Sequence, residues 1–161
     1  MTLPLDPMAP QQHRTTPDAS SEAARRRMRA TRQQGTTAEL LVRAELTNLG
    51  FTFIVDKAPI AKLRSRADIA FPEARVAVFI DGCFWHCCPI HATAPKSNGE
   101  WWRAKLAANC RRDAKVGPAF HEVGWIVLRF WEHESSTAVA LVVAAVVNRR
   151  MTNTYIDDND Y

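Results

Sequence analysis

Apolar residues recur at helical spacing through Leu41, Val42, Leu46 and Leu49, and the run is bracketed by start and stop signals. Thr36 with Glu39 three residues on reads as a capping box, and Gly50 as the stop, so the pattern predicts a helix over residues 37 to 49. The period then changes. Three short β-prone segments follow, "FTFIV" from 51, "ADIAF" from 67 and "RVAVFID" from 75, the last two joined by a "PEA" turn. They read as adjacent strands of one sheet.

Ser97 with Glu100 suggests a second capping box opening a long polar helix, interrupted at Gly117-Pro118 and restarting briefly before Gly124. "WIVLRF" from 125 reads as a buried strand, and Ser135 or Ser136 as the cap of a final apolar helix through about residue 148. The order α-β-β-β-α-β-α predicts an α/β fold, a mixed central β-sheet flanked by helices. No internal repeat is visible.

Composition sets the limits of this core. A chain of 161 residues fits one domain. Residues 1 to 20 are rich in Pro, Gln, Thr and Ser without apolar periodicity, and are expected to be a disordered tail. Residues 21 to 150 are expected to form the single domain, with a basic arm at 21 to 36, and 151 to 161 a flexible tail. The longest apolar run, 138 to 147, is too short to span a bilayer, and no secretory leader is visible, so a cytoplasmic protein without membrane contact is expected.

The net charge of +4 is mild, but "RRRMRATR" from 25 holds five arginines, which suits either a solvated arm or a phosphate-contacting one. Three of the four cysteines fall between Cys83 and Cys88. In a reducing compartment they read as metal ligands rather than disulfide partners, and Cys110 as a small buried filler.

Cys83-x4-Cys88-x2-His91 has the soft donors and short spacing of a zinc knuckle, whose fourth ligand must come from a distance. His133 is the first candidate, with His121 and Cys87 as rivals. Asp68 sits inside an apolar strand, where a carboxylate needs a cation. It could join Asp81, at the end of the next strand, around Mg²⁺, or pair with Arg64 or Arg66. Glu39 is already explained by its capping box. His86 is crowded between Cys83 and Cys88 and is thereby left free for acid-base work on an attacking water, or for a plain hydrogen bond within its loop. Phe84, Trp85, Trp101 and Trp102 cannot all point inward, and exposed aromatics beside a basic arm suit stacking on bases or insertion between base steps.

The segments "RRRMRATRQQGTTAEL", "SRADIAF", "VAVFIDGCFWH", "EWWRAKL" and "GWIVLRFWEHE", in that order, resemble the very-short-patch-repair (Vsr) mismatch endonucleases. The resemblance runs from about residue 21 to 134. It implies a fold like the restriction endonucleases of the PD-(D/E)xK group, one structural zinc and catalytic Mg²⁺, and nicking of DNA 5′ of the mispaired T in a T:G mismatch left by deamination of 5-methylcytosine. It also implies that Asp68 and the main-chain carbonyl of Ile80 hold Mg²⁺, that Glu39 acts there through water, and that His86 is the base.

By the same resemblance, Phe84, Trp85 and Trp102 form an aromatic wedge, and the arm carrying Arg25, Arg26, Arg27, Met28 and Arg29 grips DNA. Two departures stand out. Asp81 replaces a histidine of the best-known member and is expected to give a carboxylate to the metal or its waters. His133 takes the place of a cysteine, with Cys83, Cys88 and His91 as the other zinc ligands. The asymmetric target implies a monomer, working at the nucleoid of a bacterial cell with mismatch-repair proteins as candidate partners. A nuclease of this fold without a mismatch requirement, and a zinc-stabilised DNA-binding module without catalysis, are the alternatives; the latter draws on Asp81 and on the absent motif lysine.

Overall fold

The computed structural model describes residues 16–30, 34–91, 93 and 95–157. Most of the expected N-terminal tail, residues 1 to 15, lies outside the described residues. The elements are α1 (Glu22–Ala30), α2 (Thr37–Asn48), β1 (Ile54–Lys57), β2 (Ala67–Phe71), β3 (Val76–Asp81), α3 (Gly99–His121), β4 (Ile126–Trp131) and α4 (Ser136–Asp157). The strands form one sheet in the order β1-β2-β3-β4. Its first two pairings are antiparallel and β3–β4 is parallel, so the sheet is mixed, as its sequence pattern predicts.

β3 shows how the sheet separates two cores. Successive side chains on a strand alternate faces. Val76, Val78 and Ile80 pack with Val42 and Leu46 of α2 and Val139 and Val143 of α4. Ala77 and Phe79 pack on the other face with Val116 and Phe120 of α3 and with Trp125. Asp81 continues this second set, toward α3. Full burial of each such aliphatic side chain contributes about 1.5–3 kcal/mol, so both faces hold the sheet in register.

α2 follows its signals. The Thr36 side chain accepts from the Glu39 amide at 3.4 Å, and Glu39 Oε1 accepts from the Thr36 hydroxyl at 2.9 Å. At the other end the Gly50 backbone has φ 84°, and the Phe51 amide reaches back to the Leu46 carbonyl at 3.0 Å, a Schellman closure. β1 begins at Ile54 rather than 51, because Phe51 and Phe53 turn their rings edge-on to Phe71 beneath the sheet, with centroids 6.0 and 5.9 Å away.

Two helices differ from expectation. The Ser97 capping box does not form: the residue before α3 is Asn98, in the left-handed region at φ 55° and without a side-chain cap. α3 also runs through Gly117-Pro118 without interruption. Gly117 has no Cβ for the proline ring to meet, and Val116 and Phe120 are anchored in the core on either side, which offsets the lost hydrogen bond. α4 continues to Asp157, through the first part of the expected tail. No Gly or Pro stops it, Met151 packs on the first core, and the Arg150 guanidinium donates to the carbonyls of Ala74 and Gly124 at 3.1 Å. Among the described residues no helix is long and apolar enough to cross a membrane.

Candidate active site and metal centre

Three carboxylates meet where α2, β1 and β2 converge: Glu39, Asp56 and Asp68 place oxygens within 4.8 Å of one another. Glu39 is 3% exposed, so a residue accounted for by its capping box is also turned into this cluster. Its second oxygen accepts from the Gly35 amide at 2.8 Å and from Arg43 at 3.0 Å. Asp56 arrives on a left-handed backbone (φ 51°), a local irregularity at the edge strand.

Arg43 bridges the cluster, donating to Asp56 at 3.2 Å and to the Asp68 carbonyl at 3.0 Å, and its buried Nε has no hydrogen-bond partner among the described residues. Neither Asp56 nor Arg43 was singled out from the sequence. Arg43 lies four residues beyond Glu39 on a helix, and that spacing was the available signal.

The regular β2–β3 pairing runs from Phe71↔Val76 to Ile69↔Val78. Beyond it the Asp68 carboxylate itself takes the Ile80 amide at 2.7 Å. The alternative for Asp68, an ion pair with Arg64 or Arg66, does not form; Arg66 donates to the Asp56 carbonyl instead. Burial, and then the charges of Glu39, Asp81 and Asp56, push Asp68 up to about 7 against the lowering effect of the Ile80 donor. A half-buried carboxylate in such surroundings favours a proton or a cation. Oxygen donors of this kind suit a hard divalent ion, and the residues present fit one.

Asp81 is not among those clustered carboxylates. Strand alternation puts it on the α3 face, where Arg129 grips both of its oxygens at 2.6 and 2.7 Å. His86 Nδ1 is 3.5 Å from the same carboxylate and 2.7 Å from Asp113 Oδ2. Arg129 also faces Asp113, at 3.6 Å. Burial opposes its charge, but Asp81 and Asp113 overcome that and hold Arg129 above the usual guanidinium range. A cavity of about 250 Å³ opens among Asp81, His86, Asp113 and Arg129. Asp113 and Arg129 belong to this cluster, and the sequence pattern did not mark them.

All four expected knuckle residues come together: Cys83, Cys88, His91 and His133 offer ligand atoms within 4.8 Å of one another. Cys83 Sγ lies 3.1 Å from His133 Nδ1 and 3.8 Å from His91 Nδ1, and the two imidazole nitrogens are 3.2 Å apart. A tetrahedral zinc with bonds of about 2.3 Å to sulfur and about 2.05 Å to nitrogen has edges of roughly 3.3–3.8 Å, so the cluster has the dimensions such an ion requires. Glu132 Oε1 accepts from the Cys83 amide at 2.8 Å and braces the knuckle. His121, at the end of α3, is not part of the cluster. Nor is Cys87, which forms a disulfide with Cys110. That bond corrects the expectation of a buried filler at Cys110 and of clustered thiols reserved for metal: two cysteines are free, and two are crosslinked.

Phe84, Trp85, Trp102 and Trp101 form a continuous aromatic group, with centroid separations of 4.9 Å (84–85), 5.3 Å (84–102) and 4.9 Å (101–102). All four are half-buried. A cavity of about 570 Å³ lies between them and the arm, with Met28 and Lys96 on its wall. The arm is helical here, α1, with Arg25, Arg26 and Met28 exposed; the side chains of Arg27 and Arg29 lie outside the described residues.

The model of a family described as DNA mismatch endonuclease Vsr matches residues 18–91. A type II nicking enzyme, V.NaeI, of Lentzea aerocolonigenes is 41% identical over 80% of this chain and 80% of its own length. A type II nicking enzyme, V.XorIIP, of Xanthomonas oryzae pv. oryzae is 36% identical over 76% of this chain and 88% of its own. The DNA mismatch endonuclease Vsr of Escherichia coli (strain K12) is 33% identical over 71% of this chain and 73% of its own.

Proposed function

The chain belongs to the Vsr family of DNA endonucleases, and from that premise we propose that it is a Mg²⁺-dependent enzyme that nicks duplex DNA 5′ of the mispaired T in a T:G mismatch. One observation supports this most. Ile80 and Asp81 are consecutive residues at the end of β3. The first meets the carboxylate cluster through Asp68 and the second meets His86, so a cation site and an acid-base imidazole flank one strand end.

Asp68 and the main-chain carbonyl of Ile80 would hold Mg²⁺, Glu39 would act through a water, and Asp56 would add its charge to the same site. Mg²⁺ when bound supplies the positive charge that polarises the phosphodiester and offsets charge on the departing oxygen. His86 takes the proton of the attacking water. Its Nδ1 faces Asp113 Oδ2, so Nδ1 carries the ring proton and Nε2 is the accepting atom. Asp81, engaged by Arg129, acts on the metal only at a distance and serves chiefly to set Arg129 and His86.

Phe84, Trp85 and Trp102 insert beside the mismatch, since a T:G pair resists unstacking less than a matched pair. Arg25, Arg26, Arg27 and Arg29 contact phosphates, with Met28 between them against the bases. Zinc, held by Cys83, Cys88, His91 and His133, makes the wedge rigid. The protein works as a cytoplasmic monomer.

The relatives named type II nicking enzymes favour a second reading, nicking without a mismatch. Strand-labelled duplexes differing only in one T:G versus C:G pair, with Mg²⁺ or with EDTA and with Asp68→Ala as control, separate the two. Mg²⁺-dependent nicking beside T alone is the expected result. Equal nicking of both duplexes selects the second reading.

A further inference from the structure

The loop that carries Trp85 and His86 is held by α3 at three neighbouring points. Asn109 Nδ2 donates to the Trp85 carbonyl at 3.2 Å, Asp113 meets His86 at 2.7 Å, and between them Cys110 is bonded to Cys87. Residues 109, 110 and 113 share one face of the helix. Two of the points are single hydrogen bonds and one is covalent. The covalent point falls on the residue between His86 and the knuckle residue Cys88, and Cys87 is in the left-handed region at φ 60°, a conformation that a non-glycine residue keeps only when its surroundings impose it.

We propose that the Cys87–Cys110 disulfide is a positioning element for His86, and that opening it slows nicking without loosening the metal knuckle or DNA binding. This rests on the nuclease reading above. The knuckle fixes one end of the segment, through Cys83 and Cys88, and the disulfide fixes the register of the loop along α3. With the bond opened, only the Asp113 hydrogen bond remains to orient the imidazole, while Asn109 still holds the wedge at the Trp85 carbonyl. Cys87 is exposed, so small reductants and oxidants reach the bond. A disulfide in a protein that meets a reducing cytoplasm is of the kind that senses redox state.

Reduction by a phosphine breaks the S–S bond: phosphorus takes one sulfur, water displaces it, the oxygen ends on phosphorus as phosphine oxide, and each cysteine gains a proton. Oxidised glutathione reverses the change by two thiol–disulfide exchanges, releasing two glutathione thiols.

The test compares the full chain in both states. Alkylation under denaturing conditions with zinc chelated should label two cysteines before phosphine treatment and four after. Turnover on the preferred duplex should fall about tenfold or more on reduction, with KM and zinc content within about twofold, as misplacement of a catalytic group does. Cys110→Ser should match the reduced protein and ignore the redox state, and oxidised glutathione should restore the wild type alone. Equal turnover in both states, or four labelled cysteines before reduction, overturns the tether and leaves the nuclease reading standing. Nicking of no duplex in either state overturns both.

Discussion

Asp68 is ionised near 3.8 in an unfolded chain but only near 7 in its folded site. Between those values the native protein holds a proton that the unfolded chain has lost, so stability without metal falls as pH rises from about 4 to 7. Asp68→Asn removes the charge and should therefore raise the metal-free stability at pH 8 by about 2 kcal/mol, half the ceiling of roughly 4 that the shift implies because the side chain keeps some solvent. Denaturant unfolding in EDTA measures this. The variant should also lose both nicking and the stabilisation by Mg²⁺ expected of the wild type.

At this scale the sequence was uneven. Cys83, Cys88 and His91 were legible because soft donors three and five residues apart are rare without a metal. Asp56, Asp113, Arg43 and Arg129 were not, because each is a single charged residue in ordinary surroundings until the fold brings it to its partner.

Among the elements, α2 shows most plainly how local structure serves the site. Its capping box fixes Glu39 against Thr36 and Gly35 and so points the second carboxylate oxygen at Arg43 and the acidic cluster. Thr36→Ala should cost about 1 kcal/mol of stability and, by freeing Glu39, weaken Mg²⁺ binding by calorimetry. Loss of stability with unchanged Mg²⁺ affinity would confine Glu39 to capping. α2 was readable because both of its ends carry signals within one turn. α3 was misread at both ends of its pattern, since a Ser-x-x-Glu string is only an opportunity for a cap and a Gly-Pro pair only a tendency to break. Core contacts of Val116 and Phe120 decide what those local preferences leave open.

On the scale of the whole molecule, the Cys/His cluster joins distant parts of the chain. His133 follows β4, and the parallel pairing of β3 and β4 carries it to the knuckle at the end of β3, with Asp81 opposite Trp131 as the last pair. The mixed sheet was legible as a class, from strand-period segments on either side of a long helix. The parallel partner of β3 was not, because pairing across so long a connection leaves no local trace. His133→Ala should abolish stoichiometric zinc by atomic absorption. Chelation should lower wild-type stability by about 4 kcal/mol if free zinc had stood a thousandfold above its dissociation constant. Retained zinc in that variant would reassign the fourth ligand.

The parallel pairing of β3 and β4 also sets an order of events. On a ribosome the knuckle emerges with three of its four ligands, and the strand that delivers the fourth comes only after all of α3. Until the far strand has docked, the cluster lacks His133 and Asp81 lacks Arg129, and only α3 holds the loop of His86. If the proposed site is the one that cuts, a nascent chain should not nick DNA before its sheet is closed, and a chain truncated ahead of residue 133 should be inert even with Glu39, Asp56 and Asp68 present.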